Sequence, residues 1–288
     1  MALPPVIRAM RPHQWLKNVL VVAAPLAAGT LFQLSSVLAV VLAFIVFCAA
    51  SSGIYLVNDV LDVEADRAHP KKRFRPIAAG QVSPRTATVL AVLLLVAAPA
   101  VSLINGWELA VVVVVYELIQ LAYCFWLKHA VVIDLVIVSS GFLIRAIAGA
   151  VAVGVPTSQW FLLVMSFGSL FMVAGKRYAE KLAHEDGGGA TRRSLVGYSL
   201  SYLRFAWQSA AALTLICYAL WAFELGTASH NIWAELSIVP FGIAILRYAY
   251  NVDKGVAGAP EDTVLEDKQL LIFGLLWVAV FGISVVVG

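Results

Sequence analysis

Ile54-Tyr55-Leu56-Val57-Asn58-Asp59-Val60-Leu61-Asp62-Val63-Glu64-Ala65-Asp66 is the stretch that decides the fold. An apolar run over 36–58 is long enough to cross a bilayer, which takes roughly 20 residues, and it ends in a set of carboxylates. If the helix runs on past Asn58, each residue turns by about 100°. Asp59, Asp62 and Asp66 then fall on one face, and Ser52 and Tyr55 carry the same stripe back into the membrane. Three crowded carboxylates repel one another unless a cation joins them. Hard oxygen ligands at helical spacing suit Mg²⁺, which keeps several waters and is completed by substrate phosphates. The plainer alternative is a solvated helix end that happens to be acidic, but polar groups inside a membrane are costly without a function.

Outward from this stretch the chain stays apolar. Of 288 residues, 61% are hydrophobic and 13% charged, and the mean hydropathy is +0.89. A soluble domain carries about a quarter charged residues, so both a water-soluble globule and a disordered chain are excluded. Nine apolar runs are expected to span the membrane, near 16–33, 36–58, 85–104, 107–127, 130–153, 159–175, 203–224, 232–249 and 269–287. Breakers such as Asn105-Gly106, Gly154-Val155-Pro156 and Gly187-Gly188-Gly189 fall between them. The first run reads as the opening helix of a polytopic protein rather than a cleaved signal peptide. The fold class is therefore all-α, with residues 1–288 as a single transmembrane catalytic domain. Cys48, Cys124 and Cys217 all sit in apolar runs, which argues against a disulfide framework or a thiolate metal site.

Charge sets the orientation. With the amino terminus inside, every Lys and Arg except Arg145 lies in or beside the inner segments 1–15, 59–84, 128–129, 176–202 and 250–268. That is the positive-inside pattern of a plasma-membrane protein with a cytoplasmic polar face; no nucleic-acid partner is expected. Trp107, Trp160, Trp221 and Trp233 are expected at the outer interface, and Trp15 and Trp126 at the inner one. Small residues (Ala23, Ala24, Ala27, Ala28, Gly29) suit close helix contacts within or between subunits, so a homo-oligomer stays open.

Arg67, Lys71, Lys72, Arg73, Arg75 and Arg85 follow the acidic face directly. They read either as topology signal and lipid-headgroup contacts or as cations for phosphate oxygens; adjacency to the carboxylates favours phosphates. Arg145, deep in the fifth span, either pairs with Glu117 of the fourth or reaches a phosphate.

The Asn58-Asp59-x-x-Asp62-x-x-x-Asp66 pattern, followed by Arg75-Pro76-Ile77-Ala78-Ala79-Gly80, resembles the first aspartate motif of the UbiA superfamily of intramembrane prenyltransferases. The resemblance implies a nine-span helical bundle. It further implies that Asp59, Asp62 and Asp66 serve catalysis as Mg²⁺ ligands for a diphosphate. The superfamily's second motif, of DxxxD type, is absent. Gly175-Lys176-Arg177-Tyr178-Ala179-Glu180-Lys181 stands at that place, a mainly cationic stretch that would hold a further phosphate through Lys and Arg.

That departure, with Arg11-Pro12-His13-Gln14-Trp15-Leu16-Lys17-Asn18, Asp66-Arg67-Ala68-His69-Pro70 and the segment from Gly141 to Gly149, is similar to one branch of the superfamily. There the donor is 5-phosphoribosyl-1-diphosphate and the acceptor a polyprenyl (decaprenyl) phosphate, with pyrophosphate released. The product feeds the lipid-linked arabinose donor of actinobacterial cell walls. The resemblance then implies substrate-binding roles for Lys17, Tyr55, Asn58, Arg67, Lys71, Arg73, Arg75, Arg145, Lys176, Arg177, Tyr178, Glu180 and Lys181. Two rival readings are prenyl transfer to an aromatic acceptor, which the missing second acidic motif disfavours, and transport of a phosphorylated solute. Transporters often show repeated halves with broken helices, whereas here the charge lies in large loops on one face.

Overall fold

The computed structural model describes residues 3–185, 193–229, 231–258 and 260–287. The glycine run 187–189 and Arg192 lie outside them. All regular structure among the described residues is helical. The chain divides into two compact units, Met1–Ile137 with Ile144–Pro156, and Val138–Leu143 with Thr157–Gly288.

Among the described residues, eight helical stretches are long and apolar enough to cross a membrane: Leu34–Leu61, Pro84–Ser102, Trp107–Phe125, Ile133–Val153, Gln159–Ala183, Leu200–Thr227, Ile232–Asp253 and Lys268–Val287. The ninth expected run, 16–33, is helical but broken. After a short α1 (Pro5–Ala9), a 3₁₀ helix runs over Pro12–Val22 and gives way to α2 (Ala23–Ala27), then to a 3₁₀ turn at Thr30–Phe32. Pro12 and Pro25 remove backbone donors at the start of this run and inside α2. Gly29, at φ +68°, ends α2.

In the first unit, α3 (Leu34–Leu61) is the central element. It passes through Asp62 into α4 (Val63–Ala68), and the Asp66 amide donates to the Asp62 carbonyl at 2.8 Å, so the turn of the chain continues across the junction. Next, α5 (Pro84–Ser102) opens on Ser83, whose hydroxyl accepts from the Thr86 amide. Its buried face carries Ala87, Ala91 and Ala98, while Val89, Val92, Leu93 and Val96 are exposed. Small residues inward and large aliphatics outward suit a helix whose outer solvent is lipid. The remaining long elements are α6 (Trp107–Phe125) and the two parts of α7 (Ile133–Val153) that fall in this unit, 133–137 and 144–153. The core includes Val46, Phe47, Val113, Tyr116 and Ile144.

The second unit contains α8 (Gln159–Glu185), α9 (Arg193–Val196), α10 (Leu200–Ser229), α11 (Ile232–Leu236), α12 (Ile238–Asp253), α13 (Pro260–Glu266) and α14 (Lys268–Val287). Its core is aromatic. Tyr218 stacks on Phe241 with centroids 3.8 Å apart, and its hydroxyl accepts from Trp277 Nε1 at 2.6 Å and lies 2.7 Å from Ser237 Oγ. Trp221, expected in an interfacial belt, is instead buried against Phe161, Tyr218 and Phe281. Trp15 likewise turns inward, donating to Ser52 Oγ at 3.0 Å. An indole seeks a partner for its N–H, and inside the protein these two find aromatic or hydroxyl neighbours.

Candidate active site

The acidic stripe of α3 is covered by the segment that precedes the broken first run. Ser52 donates to the Met10 carbonyl at 3.1 Å, and Tyr55 donates to Gln14 Oε1 at 3.3 Å. Arg11 lies between them with its backbone in the left-handed region, φ +55°. For a residue other than glycine that conformation costs about 1–3 kcal/mol. The conformation places the guanidinium 4.8 Å from the centre of the Tyr55 ring, and Nη2 sits 2.5 Å from Asp59 Oδ1.

Asp59 and Asp66 are each 2% exposed, and Arg75 joins them. Its Nη1 lies 3.2 Å from Asp59 Oδ1 and 2.6 Å from Asp66 Oδ2. Lys72 Nζ adds a longer contact to Asp66 Oδ1, 3.9 Å. Asp62 is more open and takes Lys128 Nζ at 2.5 Å. Three carboxylates therefore face four cationic groups. Two lie on the basic segment after α4 and two come from elsewhere in the unit. The Arg75-to-Gly80 segment holds Arg75 by its backbone: Pro76, Ile77 and Ala78 are buried, and Ile77 packs with Ala9, Leu56 and Val82. The Ala79 amide donates to the Arg75 carbonyl at 2.8 Å, and Gly80 closes the turn at φ +73°, where L side chains are disfavoured.

The other residues expected here divide. Asn58, Tyr55 and Lys17 are half-buried, whereas Arg67, Lys71 and Arg73 are exposed. Arg67 bonds Glu64 at 2.7 Å along the surface, and Arg73 lies over the Phe74 ring. His69 Nδ1 accepts from the Lys71 and Lys72 amides at 3.2 and 3.3 Å, so its ring shapes the turn that carries Lys72. Withdrawal from water and the charge of Lys72 hold its pKa below the ordinary value.

Arg145 does not pair with Glu117. It donates to Asn18 Oδ1 from Nε at 2.7 Å and to the Tyr116 hydroxyl from Nη2 at 3.0 Å, with its guanidinium over the Phe47 and Tyr116 rings. Glu117 is buried, and its Oε1 has no hydrogen-bond partner among the described residues. Asn18, to which the sequence reading gave no role, is fully buried and also reaches Cys48 and Ser51.

In the second unit, α8 carries the cationic stretch. Arg177 is 3% exposed and bonds Glu180 at 3.1 Å, so it is part of the packing of α8. Tyr178 is buried too; its hydroxyl accepts from Arg204 Nη2 at 2.6 Å, and its ring meets Trp207. Lys176, Glu180 and Lys181 are half-buried.

The UbiA prenyltransferase family model matches residues 19–277. The chain belongs to this family. A decaprenyl-phosphate phosphoribosyltransferase of Mycobacterium tuberculosis is 54% identical over 98% of this chain and 95% of the relative. The Mycolicibacterium smegmatis protein of the same name is 53% identical over 97% and 92%. Among solved structures, a UbiA homolog from Archaeoglobus fulgidus bound to GPP and Mg²⁺ superposes with a TM-score of 0.71 at 16% identity, covering 98% of this chain and 99% of that one. At that identity the likeness concerns the fold alone.

The donor set of this acidic stripe suits a hard divalent cation such as Mg²⁺. Asp59, Asp62 and Asp66 offer hard anionic oxygens from consecutive turns. One cation, Arg75, already bridges two of them. With the side chains so paired, no three His, Cys, Asp or Glu groups among the described residues converge as a ready-made metal cluster. Sequence reasoning found the three carboxylates but missed Arg11 and Lys128. These lie 48 and 66 positions from their partners, a separation that helical spacing does not register.

Proposed function

We propose that this UbiA-family enzyme transfers 5-phosphoribose from 5-phosphoribosyl-1-diphosphate to a polyprenyl phosphate, decaprenyl phosphate above all, and releases pyrophosphate. The observation that carries this reading is identity above one half along nearly the whole chain with relatives named for that reaction. The cationic stretch of α8, standing where other family members carry a second acidic motif, supports it.

In this reading the bond from the anomeric carbon to the diphosphate oxygen breaks, and one forms from that carbon to an acceptor phosphate oxygen. The electron pair leaves with pyrophosphate. The acceptor phosphate is anionic at neutral pH, so no strong general base is required. Asp59, Asp62 and Asp66 would hold Mg²⁺, which supplies charge stabilisation for the departing diphosphate. Arg11, Arg75 and Lys72 orient the diphosphate oxygens, with Lys17, Arg67, Lys71 and Arg73 adding positive charge around them. Lys176 and Lys181 serve the ribose 5-phosphate, while Arg177, Tyr178 and Glu180 fix the part of α8 that bears them. Arg145 acts through Asn18, keeping the Pro12–Val22 segment in place. The polar face is cytoplasmic in the plasma membrane, open to a soluble donor.

The test is pyrophosphate release by purified protein in detergent with the ribosyl donor and decaprenyl phosphate. Activity with geranyl diphosphate and an aromatic acceptor instead, and none with the ribosyl donor, would replace this reading by ordinary prenyl transfer. Lys176→Ala and Lys181→Ala should each raise KM for the ribosyl donor. A charge-assisted bond contributes about 1.5–3 kcal/mol, so kcat/KM should fall roughly 10- to 150-fold. Unchanged donor affinity in both variants would leave the α8 cations as topology signal only.

A further inference from the structure

The oxygens that would bind a metal are already engaged. Asp59 Oδ1 takes both Arg11 and Arg75, Asp66 takes Arg75 and Lys72, and Asp62 takes Lys128. The two Arg side chains are 18% and 25% exposed, while Asp59 and Asp66 lie nearly out of reach of water. The cations therefore stand between the carboxylates and solvent.

An arginine cannot vacate such a place by losing its proton, because its guanidinium stays charged at any working pH. It leaves only for another anion. A divalent ion arriving alone meets carboxylates whose charge is already balanced, and gains little. A diphosphate arriving with the ion offers the arginines new oxygens and frees the carboxylates for the metal. The backbone of Arg75 is pinned by the buried Pro76-Ile77-Ala78 turn, so this exchange needs only rotation of the side chain.

We propose that Arg75 is a positioning residue that alternates between Asp59–Asp66 and the bound diphosphate, making divalent-metal binding conditional on the diphosphate. The proposal rests on the reading of the acidic stripe as a metal–diphosphate site. After transfer, return of the guanidinium to Asp59 and Asp66 competes with the metal and helps the metal–pyrophosphate pair to leave.

Manganese binding followed by electron paramagnetic resonance on the purified protein tests this without turnover. Wild-type protein should bind Mn²⁺ weakly alone and more tightly when inorganic pyrophosphate is present. Arg75→Gln should bind Mn²⁺ alone about tenfold tighter than wild type and Mg²⁺–pyrophosphate about tenfold more weakly, the scale of one charge-assisted bond. A side chain that merely supports the fold would shift both affinities the same way. If Arg75→Gln fails to elute as a folded species, Arg11→Gln replaces it and should move both affinities in the same two directions. Mn²⁺ affinity unchanged or lowered in the soluble variant, with wild type still binding Mn²⁺ and pyrophosphate together, would overturn the exchange and leave the metal site standing. No Asp59-dependent Mn²⁺ binding by wild type, with or without pyrophosphate, would remove both.

Discussion

Asp267 shows how much a single carboxylate holds in this protein. Its Oδ1 accepts from the Gln269 and Leu270 amides at 3.0 and 3.1 Å, capping α14. Its Oδ2 takes Arg247 Nε and Asn251 Nδ2, both at 2.7 Å, from α12. The Asn251 amide foremost, then the Leu270 N–H and Arg247, outweigh partial burial and pull the carboxyl down to about 2. An unfolded aspartate titrates near 3.9, so the folded state binds fewer protons between these values. The stabilisation is complete above about pH 4 and is lost as pH falls toward 2. Asp267→Ala should cost ~1–2 kcal/mol at pH 7, the scale of a lost helix cap, and the gap to wild type should narrow as pH falls from 4 to 2. Thermal melts in detergent across that range check it; a gap that does not change with pH would deny the carboxylate this role. At this scale the sequence was partly legible. Asp59, Asp62 and Asp66 announce themselves by helical spacing, because their neighbours are local. Arg11, Lys128 and Asn18 do not, because each acquires its meaning from a partner brought up by folding.

Among the elements, α3 is read correctly as one helix from the apolar stripe through Asp59, since nothing in 36–61 interrupts it, but it ends at Leu61, so that Asp62 is the junction and Asp66 belongs to α4. The first run is misread as an unbroken span, because mean hydropathy registers composition and not backbone continuity; Pro12, Pro25 and Gly29 were the signal. This broken segment packs against α7 at its closest point. A Cβ on Gly149 would stand 1.8 Å from the Val21 carbonyl oxygen, a backbone atom with little freedom to yield. Gly149→Ala should therefore destabilise by about 3 kcal/mol or more, at the upper end of overpacking. Gly274→Ala, where a Cβ meets nothing within 4 Å, should be neutral or slightly stabilising. Melting temperatures of the two variants settle this: equal values would mean that α7 and the Pro12–Val22 helix are not held together at Gly149.

For the whole molecule, composition and the distribution of Lys and Arg were enough to predict a helical membrane protein, because the bilayer leaves few other solutions. The positive-inside reading makes a further prediction. The native cysteines are all buried, so introduced ones report cleanly. In intact cells a membrane-impermeant thiol reagent should label Ile104→Cys and spare Gly188→Cys. The opposite pattern would invert the topology and place the carboxylates outside. The broken first segment also bears on how the protein is made. Asn18, buried at its middle, bonds α3 through Cys48 and Ser51 and also accepts from Arg145, 127 residues further on. As the chain leaves the ribosome, its opening segment thus emerges long before its last partner exists. It can dock on α3 early but gains its final hydrogen bond only after α7 has been synthesised. Biogenesis must shelter a buried asparagine in a proline-interrupted segment while the next 127 residues are made.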